Sequence, residues 1–235
     1  MKVRVKFTKN GPMKFIGHLD TLRYFQKAIR RAEIPIAYSE GYSPHMIMSF
    51  AAPLGVGVTS DGEYFDMELT EAEPSADMVR RLNSQMADGV TVISIRKIAE
   101  EKAANAMALV AAADYLVTFR QGKELPDGWQ DKIEDFLAQE SIVIMKKTKK
   151  SEKEIDILPW IFDMHLQEDG IFMKLSSGSV HNLKPELVLD AFANFIGTSI
   201  QPFALQVKRL EVYADKGEEG TRDLVTLENL GEDIE

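Results

Sequence analysis

The hydrophobic period of the chain changes once within its first 33 residues, from two to about 3.6, and that change restricts what it can fold into. In "MKVRVKFTKN", Val3, Val5 and Phe7 alternate with Lys2, Arg4 and Lys6, the pattern of a half-buried strand. From 18 to 33, Leu22, Phe25, Ala28, Ile29 and Ala32 recur at three and four, while Arg23, Lys27, Arg30 and Arg31 fall on the opposite arc of a helix. One face of that helix packs and the other is cationic. Pro35 is expected to end it, because the residue before a proline avoids the helical region.

The same reading continues along the chain. "MIMSF" and "EYFDMEL" are strand-like, Pro74 opens a second helix over about 75–88, and "VTVISIRK" closes the unit as a strand. The order is β-α-β-β-α-β, one ferredoxin-like unit over 1–98. An Ala-rich connector occupies 99–113. Over 114–213, "DYLVTFR", a helix at about 127–139, "SIVIMKK", "EIDI", the hairpin "FDMHLQEDGIFMKLS", a helix at about 184–196 and "ALQVKRLEVY" repeat the order with an extra hairpin. The expected fold class is therefore α+β, two tandem ferredoxin-like units, followed by an acidic tail at 214–235. That tail reads as largely solvated, with "DLVTLENL" as the stretch able to dock.

Charge is distributed unevenly. The chain of 235 residues has net charge −9, yet its first 50 residues hold nine Lys/Arg against Asp20, Glu33 and Glu40. Residues 61–140 hold 17 acids against eight bases. No apolar run reaches the roughly 18 residues that cross a bilayer, and the first residues lack a signal-peptide core, so a cytoplasmic protein without membrane contact is expected. With no cysteine, the chain can build neither disulfides, Cys-zinc sites nor iron-sulfur clusters.

"GHLD", "RRAEIP", "YSEGYSPH" and "PLGVGVTSDGEYFD" resemble the N-terminal pattern of the radical-SAM-linked protein family, a domain of unknown function. The resemblance continues through "EIDILPWI" and "LKPELVLDAF". It implies a domain fused to, or encoded beside, a cobalamin-binding radical SAM enzyme, with an RNA theme. Such an enzyme holds a [4Fe–4S] cluster on three cysteines, so this chain would be the accessory piece, carrying no cofactor of its own. Its tandem order is also similar to the RAMP superfamily of RNA-processing proteins, although the glycine-rich C-terminal loop of those proteins is absent.

Two candidate surfaces follow. Arg23, Lys27, Arg30 and Arg31, with Lys14 and the strand cations Lys2, Arg4, Lys6 and Lys9, form an electrostatic track for RNA phosphates or an acidic protein; a solvated helix face is the plain alternative. His18, Asp20, Tyr42, His45 and Ser49 form a substrate pocket, if the segment after the helix returns beside it. Within that pocket Asp20 could cap the helix, two histidines and a carboxylate could hold a metal, or His18 and His45 could act as acid and base on RNA. Gly55, Gly57 and Gly62 match no phosphate-binding loop and read as a hairpin connection. "KKTKKSEK" at 146–153 is a second basic cluster at a hairpin tip. The functions carried forward are an RNA-binding accessory of a radical SAM enzyme, a metal-independent RNA-processing enzyme using His18 and His45, and a protein-docking module.

Overall fold

The alternation of the first strand sorts its residues onto two faces, and both faces are used. A computed structural model describes residues 1–101, 104–147, 152–218 and 220–235, so part of the Ala-rich connector and residues 148–151 of the second basic cluster lie outside the described residues. In chain order the strands and helices are β1 (Lys2–Lys9), α1 (His18–Arg31), β2 (Met48–Phe50), β3 (Thr59–Glu68), α2 (Ser75–Asn83), β4 (Val90–Lys97), α3 (Ala106–Leu109) and β5 (Val110–Phe119). There follow α4 (Ile133–Leu137), β6 (Val143–Lys147), β7 (Glu152–Asp156), β8 (Ile161–Gln167), β9 (Gly170–Ser176), α5 (Pro185–Phe195), β10 (Leu205–Asp215) and β11 (Leu224–Thr226). The fold is mixed α+β, with a large, mostly antiparallel sheet and five α-helices among the described residues.

The chain divides into two units, Met1–Ala112 with Arg209–Glu235, and Ala113–Lys208. In the first, the strand order is β4-β1-β3-β10, with β2 also on β3 and β11 on β10. Val5 lies opposite Phe65 and Ile95, and these residues share one face with Val3, Phe7 and Met67. That face is covered by Phe25 and Ile29 of α1 and by Met78 and Leu82 of α2, all fully buried. The ring of Phe25 stands 4.7 Å from Phe7 and 4.9 Å from Phe65, close enough for edge-on and tilted aromatic contact.

Helix α1 stops before Pro35 can stop it. Glu33 takes a positive φ of 53°, its N–H bonds the Arg30 carbonyl at 3.2 Å, and the Ile34 N–H bonds the Ile29 carbonyl at 3.2 Å. This is a Schellman ending with glutamate where glycine is usual, held by burial of Ile34 against the core.

The opposite face of β1 holds Arg4 and Lys6, and the C-terminal residues cover it. The stretch expected to be solvated is packed: "DLVTLENL" forms β11 and a 3-10 turn at Leu227–Leu230, with Leu227 fully buried. Glu228 accepts hydrogen bonds from Lys6 Nζ at 2.8 Å and Ser94 Oγ at 2.6 Å. Glu232 and Lys97 exchange backbone hydrogen bonds at 2.7 and 2.9 Å; the Ser75 N–H donates to the Ile234 carbonyl and the Ile234 N–H to Ser75 Oγ, each at 2.9 Å. Gly231 lies so close to β4 that a Cβ there would meet Lys97 O at 2.9 Å. The tail's carboxylates thus find cations that the strand alternation had set aside.

In the second unit β5, β9 and β8 are neighbours in that order, with β10 beside β5, and β6 and β7 form a separate two-stranded sheet. The helix expected at 127–139 begins as a 3-10 turn at Trp129–Lys132, after Gly128 at φ 81°, and becomes α4 only at Ile133. Phe136 of α4 and Phe192 of α5 are buried with ring centroids 5.3 Å apart.

Burial alone would raise the Glu228 carboxyl, but its hydrogen bonds from Lys6 and Ser94 outweigh that and hold it below the ordinary 4.5. A group depressed in the folded state stabilises above its unfolded pKa and loses that contribution as pH falls through the folded value. Glu228→Gln is therefore expected to lower the urea midpoint at pH 7, with the gap to the unsubstituted protein closing as pH drops below about 4.5. A gap independent of pH would show that the carboxylate's charge contributes nothing.

Candidate functional site

Because Phe25, Ala28 and Ile29 are buried, the other arc of α1 points outward, and Arg23, Lys27, Arg30 and Arg31 are all exposed. Arg23 pairs with Asp20 at 3.1 Å, where both side chains are about two-thirds exposed, a pairing worth roughly 0–1 kcal/mol. Arg31 donates to the Gln85 carbonyl at 3.2 Å. Lys27 and Arg30 form no ion pair among the described residues. Arg81 of α2, absent from the sequence-based track, donates to the Glu33 carbonyl at 3.3 Å at the C-terminal end of α1, but it is ion-paired with Glu73 and adds no free cation to the arc. Lys14 is half-buried in the 3-10 turn Gly11–Phe15, its Nζ 5.2 Å from the Phe15 ring.

The strand cations do not extend this arc. Arg4 is 2% exposed and paired with Asp66, Lys6 is bound by Glu211 and Glu228, and Lys2 donates to the Glu100 carbonyl. All three sit on even positions of β1, the face away from α1. Lys9 follows a register shift in β1, is 3% exposed, and donates to the Ile16 carbonyl at 2.6 Å.

The five residues expected to share a pocket occupy three places. His18 opens α1 and lies half-buried with its ring edge-on to Phe50 at 5.3 Å. Asp20 is not the cap; the N-cap is Gly17, without a side-chain bond, and Asp20 is spent on Arg23. Tyr42 is fully exposed at the tip of a turn closed by the bridge between Tyr38 and Met46. His45 belongs to the same turn, with Nδ1 2.8 Å from Ser39 Oγ. Gly41, at φ 105°, lets the chain reverse there. Ser49 precedes Phe50 on β2, so the two side chains leave opposite faces of the strand. His18 therefore goes with Phe50 to the core side, and Ser49 goes to the other.

On that other side His45 and Ser49 line a cavity of about 280 Å³ with Lys2, Asp66, Glu68 and Asn105. His18 and Asp20 do not line it. Arg4 bonds Asp66 through two nitrogens at 2.8 and 3.0 Å, and the Ala106 N–H adds a bond at 2.7 Å. Both Asp66 oxygens are thus engaged, which makes this carboxylate an anchor and not an available base. Asn105 Nδ2 donates to Ser49 Oγ at 3.3 Å. Asp66 could have been suspected from "EYFDMEL", where a single acid interrupts an apolar strand. No group of three His, Cys, Asp or Glu side chains able to hold a metal ion is present among the described residues.

A second buried pair joins residues 146 positions apart, a pairing that local sequence pattern does not signal. Arg209 Nε donates to Glu63 Oε1 at 2.7 Å, its Nη2 bonds Glu63 Oε2, and the same nitrogen reaches the Ala52 carbonyl at 2.6 Å. Glu63 lies opposite Phe7 in the β1–β3 register, on the α1 side of the sheet. Burial holds Lys9 below its ordinary value; the nearby Glu63 charge opposes this and Arg209 reinforces it. Lys9 thus fastens the chain at Ile16, just ahead of α1, and Arg209, held by Glu63, fastens it at Ala52, just after β2.

The chain belongs to the family described as "Uncharacterized protein conserved in bacteria (DUF2344)", whose profile matches residues 2–185. No curated protein matches the chain. Among solved structures, one match is a chain of the "Crystal Structure of a Cbf5-Nop10-Gar1 Complex", with 11% identity and a TM-score of 0.45. That match covers 89% of this chain and 48% of the other, so this chain spans about half the length of the one it matches.

Removing one member of a buried ion pair leaves the other uncompensated, at a cost of about 3–5 kcal/mol, whereas replacing both with neutral residues of similar size is far milder. Glu63→Gln is expected to destabilise the protein by that amount in urea unfolding, and Glu63→Gln with Arg209→Met to recover most of the loss. A double variant as unstable as the single one would show that the pair's charge is not the issue.

Proposed function

We propose that this protein is a cytoplasmic, RNA-binding accessory of a radical SAM enzyme, holding a phosphate-bearing strand along α1 for its partner to act on. The observation that carries the reading is the outer arc of α1. Arg23, Lys27, Arg30 and Arg31 are exposed together on a helix whose other face is buried, in a chain of net charge −9. Lys27 and Arg30 have no ion-pair partner among the described residues, and Arg23 has only a weak one. A cationic surface on an acidic protein favours polyanions at that place and repels them elsewhere.

The radical SAM partner is supported by the sequence resemblance, and the absence of cysteine assigns cluster chemistry to the partner. No helix among the described residues is long and apolar enough to cross a membrane, which is compatible with the cytoplasmic reading. The finer architecture we propose, two tandem ferredoxin-like units with an extra hairpin, is supported by the strand order β4-β1-β3 with β2 on β3, and by β10-β5-β9-β8 with β6–β7 set apart. An RNA-processing enzyme that pairs His18 with His45 is the weaker reading, because His18 packs on Phe50 while His45 bonds Ser39. A protein-docking module without nucleic acid differs from the proposal in one measurable way, since it predicts no RNA retention.

Binding of labelled single-stranded RNA between about 50 and 200 mM salt tests the reading. Four phosphate contacts on a single strand give a slope of about −3 in log K against log salt. Arg23, Arg30 and Arg31 changed together to Glu should weaken binding at least tenfold while circular dichroism stays unchanged, because the buried face of α1 is untouched. RNA binding that survives this reversal, or no salt-dependent binding at all, removes α1 as the track.

A further inference from the structure

In the second unit, β6 is paired on one side only. Val143 lies opposite Asp156, Ile144 opposite Ile155 and Met145 opposite Glu154 of β7, and among the described residues no other strand joins β6. Beside it runs a groove of about 550 Å³. Five consecutive residues, Ser141 to Met145, line that groove and none of β7 does, so it lies along the edge of β6 away from β7. The far wall is one face of α5, formed by Leu187, Asp190, Ala191 and Asn194, which recur at three and four.

A free strand edge facing a helix across a groove is the geometry in which an extended peptide adds as one more strand. Backbone groups of β6 supply its hydrogen bonds. The walls supply its side-chain sites, since Val143, Met145 and Phe195 are exposed apolar side chains, 55%, 52% and 41% accessible. Charge narrows the occupant further. Glu186 and Asp190 are one turn apart on α5, an unfavourable like-charge spacing, and neither forms an ion pair among the described residues. Burial, with the neighbouring Glu186 charge, holds the Asp190 carboxyl above its ordinary value, as expected of a carboxylate that lacks a cation. Five strand residues span about 17 Å, the length of a short linear segment.

We propose that this groove receives an extended segment of a partner protein as an added strand on β6, with alternate apolar side chains against α5 and a lysine or arginine over Asp190. The inference stands apart from RNA binding by α1, which is in the other unit.

Two fluorescein-labelled heptapeptides of alternating valine and threonine, one with a central lysine and one with a central glutamate, test it on the full chain by fluorescence polarisation. The lysine peptide is expected to bind at least tenfold more tightly, and Asp190→Lys to reverse the order. Hydrogen exchange at Val143–Met145 is expected to slow on binding. Met145→Pro should abolish binding of both peptides, and Ala191→Arg, which fills the groove from the helix side without altering the strand, should do the same in a chain of unchanged circular dichroism. Failure of both peptides to bind overturns the proposal, as does a preference that Asp190→Lys leaves unaltered. Concentration-dependent protection of β6 without peptide also overturns it, by giving the groove to a second copy of this chain.

Discussion

Arg4 is 2% exposed and makes four hydrogen bonds, and the arrangement of the first unit depends on all of them. Its Nε and Nη2 hold Asp66 of β3, Nη2 also reaches the Ala104 carbonyl just before α3, and Nη1 reaches the Leu227 carbonyl. A guanidinium taken out of water costs several kcal/mol unless its donors are met. The strand bearing Arg4 is therefore satisfied only when the segment entering α3 and a C-terminal turn 223 positions away are both in place. This explains why the first unit is discontinuous in sequence, with residues 113–208 forming a second body between its two pieces. It also predetermines the cavity beside Ser49, whose wall is the anchored Asp66.

The parity of β1 carries this constraint to the surface. Odd positions Val3, Val5 and Phe7 go to the helices, so even positions Arg4 and Lys6 must go to the other face, where Asp66, Glu211 and Glu228 await them. Burial would lower the Lys6 ammonium, yet its bonds to Glu211 and Glu228 hold it above the ordinary value, so it stays a cation and stays engaged. Of the nine basic residues in the first 50, Arg4, Lys6 and Lys9 on β1 are engaged within the fold, while Lys2 is half-exposed and lines the cavity beside Ser49. What remains for an external anion is α1 and its approaches. The acidic C-terminal residues contribute by pairing Glu228 with Lys6 and Asp233 with Arg96, while Asp66 of β3 pairs with Arg4.

Local features were legible and distant pairings were not. "VTVISIRK" gave β4 at its observed limits, and the spacing of Leu22, Phe25, Ala28 and Ile29 gave α1 and its buried face, because each is a property of consecutive residues. The hairpin at "FDMHLQEDGIFMKLS" was legible for the same reason, as β8 and β9 turn through Gly170. Arg4 and Lys6 look like surface cations until Asp66 and Glu228 are known to face them, 62 and 222 positions on. The tail reads as solvated because it is strongly acidic and has no aromatic residue after Tyr213, whereas the partners that dock it, Lys6 and Ser94, lie far off in sequence. Ser49 could be assigned to a pocket from its loop-rich surroundings, but that His18 leaves the opposite side of β2 depends on the parity of Phe50 in a three-residue strand, whose boundary the sequence does not fix.

The arc on α1 remains the surface with the clearest physical claim to a ligand, and its residues are not equivalent. Arg30 and Arg31 stand in the last turn, where cations are favoured by the helix dipole at about 0.3–1 kcal/mol each, so part of their presence is accounted for by the helix itself. Arg23 and Lys27 lie too far from that end to gain from it. Lys27 in particular has neither a carboxylate partner nor a dipole to explain it, on a helix whose buried face already secures its place. From Arg23 to Arg31 the helix rises about 12 Å, enough for a few phosphates and not for a long run. Specificity would then have to come from groups that read something other than charge, and the arc alone offers none.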